Sequence, residues 1–454
     1  MTDAAHTSHV FQRYMRKAYP VAVAGDGPYI IDRDGRRYLD AASGAGVSSL
    51  GYSDAAVAEA IARQARSLAY VYNAYFTTEP AEQLAQALVE MTPAGLDWVF
   101  FGSGGSESME GALKMALQFH IDNGQPSRKR FIARRQSYHG CGLGGLAVSG
   151  NLIRRMLFED VLMDTSFVSP CYAYREQQPG ESDAAYVTRL AAELEATVQR
   201  LGPHTVAAFV AEPVVGATNG AVPALPGYFQ AIKAVLDRYG ILFIADEILT
   251  GSGRTGTYLS IEQDGVVPDL VTLAKGLGAG YQPVSAILVH QRVFDTIADK
   301  RGYFIHGHTF NASATPCAAA LAVITQIRER ELLARVQTMG ARLRQALAER
   351  FAEHPHVGDI RGRGLLLGLE LVRDRASKAT FGAAHMLWAA VQQQAMARGL
   401  VCYPMGGTAD GMNGDHILLA PPFIIDDSHV AEIVDTLGTS IDAAVAALPA
   451  EARR

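Results

Sequence analysis

Three apolar runs in the middle of the chain each stop at a charged residue. VAAFVAE ends on Glu212, LFIAD on Asp246 and VTLAK on Lys275. Short, turn-bounded apolar runs read as strands of a parallel sheet covered on both faces by helices. In open sheets of that type the ligand crevice lies at the carboxyl ends of the strands, so two acids and one amine should converge there. One charged strand end is ordinarily just solvated. Three together, each followed by a loop containing Pro or Gly, point to a site.

A second feature precedes them. FFGSGGSESMEGALKMALQF runs from an apolar approach through a glycine loop into Ser106 and a segment of good helix propensity. Glycines let backbone N–H groups approach an anion, and a helix N-terminus adds partial positive charge. The segment reads as a phosphate cradle with Gly105 and Ser106 as contacts; the competing reading is an ordinary loop with a serine N-cap. Nucleotide motifs fail. No Gly-Lys-Ser/Thr completes a P-loop, and the two literal G-x-G-x-x-G matches, at Gly140/Gly142/Gly145 and Gly251/Gly253/Gly256, lack the strand-to-helix context. A lysine, an aspartate and a phosphate cradle in one crevice meet the three needs of pyridoxal phosphate. Its aldehyde needs an amine, its pyridine nitrogen an acid, and its phosphate N–H donors.

The motifs then become specific. SGGSESMEGALKMA, SYHG (137–140), FVAEPVVGA (209–217), LFIADEILTGSGRTG (242–256), LAKGLGAGYQPVSA (273–286) and HGHTFNASATPCAAALA (306–322) occur in this order. Together they resemble class III aminotransferases, the fold-type I pyridoxal 5'-phosphate enzymes that include ω-transaminases. The resemblance implies that Lys275 is the Schiff-base lysine, which also carries a proton between the substrate's Cα and the cofactor. Asp246 would pair with the pyridinium nitrogen. Ile248 would pack on one ring face, and Tyr138 would stack on the other and line the substrate pocket. Glu212 would orient groups near the ring. Thr309 would reach the phosphate of a neighbouring subunit, in a homodimer or dimer of dimers with shared sites.

Each assignment has a plainer competitor: Tyr138 as core packing, Thr309 as a helix N-cap. His306-x-His308 and His354-x-His356 have no Cys or acid cluster beside them, so no metal site is read. The function implied is amino transfer from an amine or ω-amino compound to a keto acid, pyruvate by resemblance, through a pyridoxamine form of the cofactor. Racemases and decarboxylating transaminases share the scaffold. A racemase should carry a second acid in the VVGATNG loop, where Ala217 and Thr218 offer none. A pyridoxal-binding regulator would need a basic DNA-binding module, for which the N-terminus is too short. Substrate choice is harder. Relatives that take α-amino acids usually grip the carboxylate with a C-terminal arginine, but here Gly411, Met412 and Asn413 stand in its place. No Lys or Arg occurs between Arg398 and Arg453. The wall expected from Met405, Gly406, Gly407, Gly411 and Met412 is uncharged. Arg154, Arg155 or Arg175 remain as possible carboxylate partners.

The elements that must position these residues suggest an α/β protein. It has a large domain with a mostly parallel sheet flanked by helices (52–323) and a smaller α+β domain (324–454), joined by an N-terminal segment with a hairpin (1–51). That hairpin is PYIIDRDGRRYLD, two β-like runs around Asp34-Gly35. The runs 206–210, 241–245, 271–274 and 284–289 are expected as parallel strands, 331–351 as a helix, and RGRGLLLGLEL (361–371) as one strand. With 454 residues, 49% of them hydrophobic, and a net charge of −6, the chain can bury a sizeable core and offers no basic patch. Nucleic acid and membrane are therefore not expected as partners. Four scattered cysteines and a polar N-terminus suggest reduced thiols in the cytoplasm.

Overall fold

A computed structural model describes residues 9–15 and 17–453. Its centre is a seven-stranded sheet in the order Leu96–Gly102, Ser285–His290, Leu270–Leu273, Leu242–Asp246, Val206–Ala211, Arg130–Arg134, Thr165–Val168. Alternation along each strand feeds two separate apolar clusters. Phe209, Phe243, Val271 and Leu273 enter one; Ala208, Val210, Ile244 and Leu270 enter the other. Successive residues of a strand point to opposite faces, so a run that is apolar throughout requires cover on both. Helices supply it. Among them are Gly105–Asp122, Asp183–Leu201 and Tyr228–Tyr239. Ser182 caps the second of these by accepting the Ala185 amide, a contact typically worth about 1 kcal/mol.

One expected parallel strand is not parallel. Ser285–His290 pairs antiparallel with both Leu270–Leu273 and Leu96–Gly102. A parallel return needs a crossover of about a dozen residues or more, usually a helix, and the connection here holds only the short turn Lys275–Leu277. A second correction concerns RGRGLLLGLEL. It is the tight hairpin of Val357–Arg363 and Leu366–Leu371, turned at Gly364, whose φ is +55°. A left-handed backbone there is cheap only for glycine.

The hairpin belongs to a four-stranded antiparallel sheet with Asp415–Leu419 and Tyr403–Gly406. A third sheet begins at Ala22–Asp26, which lacked a sequence signal. It continues through Tyr29–Asp32 and Arg37–Asp40 and ends on Leu400–Val401, parallel to its neighbour. The N-terminal strands thus pair with the far end of the chain. Leu39, Leu343, Leu400, Ile417 and Leu437 share one apolar cluster. Among the described residues, no helix is long and apolar enough to cross a membrane.

Candidate active site

The carboxyl ends of the central strands do converge. A cleft of about 630 Å³ is lined by Gly105, Ser106, Tyr138, Glu212, Asp246, Ile248 and Lys275. Asp246 closes its strand, Glu212 follows Ala211, and Lys275 stands two residues beyond Leu273. Asp246 is the most firmly held. His139 Nδ1 lies 2.8 Å from Oδ2; the Ile248 amide and the Thr272 hydroxyl donate to Oδ1 at 3.1 and 3.4 Å. Facing a carboxylate, Nδ1 is the protonated ring nitrogen. That leaves Nε2 of His139, buried and without a partner among the described residues.

Glu212 is also buried. Its Oε1 accepts the Tyr138 amide at 3.3 Å, while Arg134 stands 3.6 Å from Oε2, an ion pair too long to be a hydrogen bond. Burial pushes the Glu212 carboxyl up, against the pull of His139 and Arg134. Burial likewise lowers the Lys275 ammonium, although Asp246 and Glu212 act in the opposite direction. The result favours the neutral, nucleophilic amine. Lys275 also has φ +44°, a left-handed backbone that a lysine adopts only when its surroundings hold it there.

At the other end of the cleft the helix Gly105–Asp122 begins. Gly104, not Ser106, is its N-cap, and no side chain caps the first amides. Those donors and the helix dipole face the cleft, as an anion site requires. Ile248 packs against Gly105 so closely that a Cβ there would meet Ile248 Cδ1 at 2.9 Å. A flat aromatic group with a phosphate therefore fits the residues present. The bare helix end would hold the phosphate, Asp246 a ring N–H, Lys275 an aldehyde, and Ile248 and Tyr138 the ring faces.

The three candidate arginines separate cleanly. Arg155 is buried, paired with Glu159 at 2.9 Å and donating to the Leu146, Ala147 and Ser149 carbonyls. Arg175 is paired with buried Glu370 at 2.6 Å. Arg154 alone lines the cleft, its guanidinium carbon 4.7 Å from the Tyr138 ring centroid. From the C-terminal segment, Met405 reaches the cleft. Gly406, Gly407, Gly411 and Met412 line an adjoining cavity of about 470 Å³. Thr309 is exposed and lines neither, its carbonyl accepting the Tyr70 hydroxyl; the N-cap position of the following helix is Ser313, whose side chain makes no capping bond.

Sequence reasoning missed His139 and Arg134. His139 lies inside the quoted SYHG and Arg134 three residues before it, but their partners Asp246 and Glu212 lie 107 and 78 residues away, at the ends of other strands. Nothing local announces those pairings.

Comparison with known proteins agrees with this geometry. The family model for class III aminotransferases matches residues 11–441. An uncharacterized aminotransferase of Schizosaccharomyces pombe is 42% identical over 431 residues, spanning 95% of this chain and 94% of that one. A gamma-aminobutyrate transaminase of rice, Oryza sativa subsp. indica, is 34% identical, spanning 92% of this chain and 80% of that one. Among solved structures, the omega transaminase of Pseudomonas jessenii in complex with PMP is 33% identical. It superposes with a TM-score of 0.89 over 94% of this chain and 93% of that one. The (S)-enantioselective omega-transaminase of Thermomicrobium roseum is 35% identical, with a TM-score of 0.90 over 97% of each chain. A full-length family match, the fold of these transaminases and a cleft fitted to their cofactor agree: the chain belongs to the class III aminotransferases, which depend on pyridoxal phosphate.

Proposed function

We propose that the enzyme moves an amino group from an amine or ω-amino compound to a keto acid of the pyruvate type, with Lys275 as the Schiff-base lysine. The observation that carries this is the lysine amine, lowered by burial, in one cleft with Asp246 and the bare N-terminus of helix Gly105–Asp122. When bound, pyridoxal phosphate supplies an electron sink for the carbanion formed at the substrate carbon. The protein's own residues do the rest. Lys275 Nζ takes the proton from the substrate carbon and returns it. Asp246, oriented by His139, holds the proton on the cofactor's ring nitrogen. Glu212 anchors the Tyr138 backbone and so sets the ring that roofs the site. Tyr138 and Ile248 exclude water from the two ring faces.

The loop residues Ala217 and Thr218 line the cleft without an acid or base, which supports transamination over racemisation. The names of relatives, gamma-aminobutyrate and omega transaminases, support an ω-amino donor. The exposed aromatic residues Tyr70 and Phe310 beside Thr309, with exposed Tyr72, Tyr75 and Phe76 in the same stretch as Tyr70, support a homodimer in which Thr309 serves the partner's phosphate. Four free cysteines support a reducing, cytoplasmic setting. An amine-donor panel with pyruvate, read as alanine formed, tests the reaction: no alanine from any amine overturns it. Mixing Lys275→Ala chains with Thr309→Ala chains tests the sharing of sites. Activity should reappear in the hybrid, and a verified heterodimer without rescue refutes it.

A further inference from the structure

Arg154 is a cation at the active site with no acid of its own. It sits on the short helical turn Leu152–Arg155, fixed at the backbone by Asn151, whose Oδ1 accepts the Arg154 amide at 3.2 Å. One face of the guanidinium rests near the Tyr138 ring at 4.7 Å. Among the described residues, no carboxylate lies within ion-pair distance of it, whereas its neighbour Arg155 is saturated by Glu159 and three carbonyls. A half-buried guanidinium with its donor edges free is a receptor for a planar anion.

A second observation marks the same place. Thr218 lines both the main cleft and the adjoining cavity, as Arg154 does. Thr218 is only 6% exposed, yet its hydroxyl has no hydrogen-bond partner among the described residues. Buried hydroxyls are normally satisfied, so an orphan at a cavity junction points to a missing ligand. Asn151, Arg13, Tyr403 and Met405 complete that junction, and the last two would accept the carbon chain of a substrate.

We propose that Arg154, assisted by Thr218, binds the carboxylate of a monocarboxylate substrate: the keto-acid acceptor, and equally the far carboxylate of an ω-amino acid donor. The assignment rests on the transaminase reading above and names the specificity residue of that same site. One seated cation serves one carboxylate. Dicarboxylates bring a second one to a wall of Met405, Gly406, Gly407 and Met412. Arg13 is the rival cation. It lines both cavities but is exposed, its guanidinium carbon 6.0 Å from the Tyr14 ring centroid.

The test uses the holoenzyme with one amine donor and two acceptors, pyruvate and the neutral aldehyde butanal, alongside calorimetric binding of the unreactive monocarboxylate propionate. Arg154→Gln should raise the KM for pyruvate and the Kd for propionate by about 10- to 100-fold, the loss expected for a charge-assisted contact. Its kcat/KM with butanal should stay near wild type. Arg154→Lys should fall between, and Thr218→Val should show a smaller loss in the same direction. Arg13→Gln should lose less than Arg154→Gln. Equal losses on both acceptors would assign Arg154 a merely structural role and overturn the proposal. So would unchanged propionate binding, or a larger loss from Arg13→Gln. If the wild type transaminates neither acceptor, the transaminase reading fails, while propionate binding still judges Arg154.

Discussion

Asp246 and Arg154 line the same cleft, yet among the described residues the first is held by three donors and the side chain of the second by no hydrogen-bond or ion-pair partner. Asp246 stands on a buried strand of the central sheet, braced by His139, Ile248 and Thr272. Arg154 stands on a four-residue turn among the exposed apolar residues Leu152, Ile153, Met156 and Leu157. The floor is thus built where the sheet leaves no freedom, and the wall where the chain can change without disturbing the core. Chemistry requires the first arrangement, since small displacements of a reacting group are costly. Selection among substrates tolerates the second.

That contrast breaks first at the floor. Lys275→Ala should cut turnover by about 10²–10⁴-fold or more, the share a positioned acid–base group supplies, and abolish the visible absorption of the bound cofactor. A variant that stays yellow after dialysis and keeps a rate within about tenfold of wild type would remove Lys275 from its role. Asp246→Asn comes next. Removing the charge opposite the ring nitrogen should slow the chemical step by about 10²-fold with the melting temperature little changed. Single-turnover kinetics near wild type would show that another group holds that nitrogen.

At the wall the effects should be smaller and should redistribute substrates instead of stopping the reaction. A terminal alkyl or aromatic amine should outpace glutamate by about tenfold or more at matched concentration, because an unpaired second carboxylate costs about 1–3 kcal/mol. Met405→Arg should narrow that gap by supplying the missing partner. A wild type that prefers glutamate tenfold would show that the wall is not neutral to charge. The smallest effect is a shift in titration. In the cofactor-free protein the Lys275 amine should be labelled with a pH midpoint below the usual 10.5, because burial disfavours its ammonium. Glu212→Gln removes a neighbouring negative charge that stabilises the ammonium, so the midpoint should fall further. Mass spectrometry of the labelled peptide reads both values; a rise on mutation contradicts the stated geometry.

Much of the floor was legible because it is written in local pattern. A strand covered on both faces is an apolar run, and where it meets a crevice the run must stop at a polar residue, as at Glu212, Asp246 and Lys275. The glycine loop before Ser106 was legible for the same reason, although the cap proved to be Gly104. Strand direction was not. Ser285–His290 has the composition of its parallel neighbours, and only the shortness of the connection from Leu273 reverses it. The split of RGRGLLLGLEL turned on one glycine whose left-handed backbone a sequence does not display.

The ordered motifs carried the resemblance to the family and its cofactor, and the polar ends of the apolar runs placed Glu212, Asp246 and Lys275 in the cleft, since those depend on residue type at strand ends and helix starts. The sequence also established that no arginine occupies the C-terminal wall. Only the tertiary structure decided which of Arg154, Arg155 and Arg175 is free to act. The three have the same side chain. Two are neutralised by partners, Glu159 four residues along and Glu370 nearly two hundred away. An arginine's function depends on whether its charge is already spent, and that depends on what folding brings beside it.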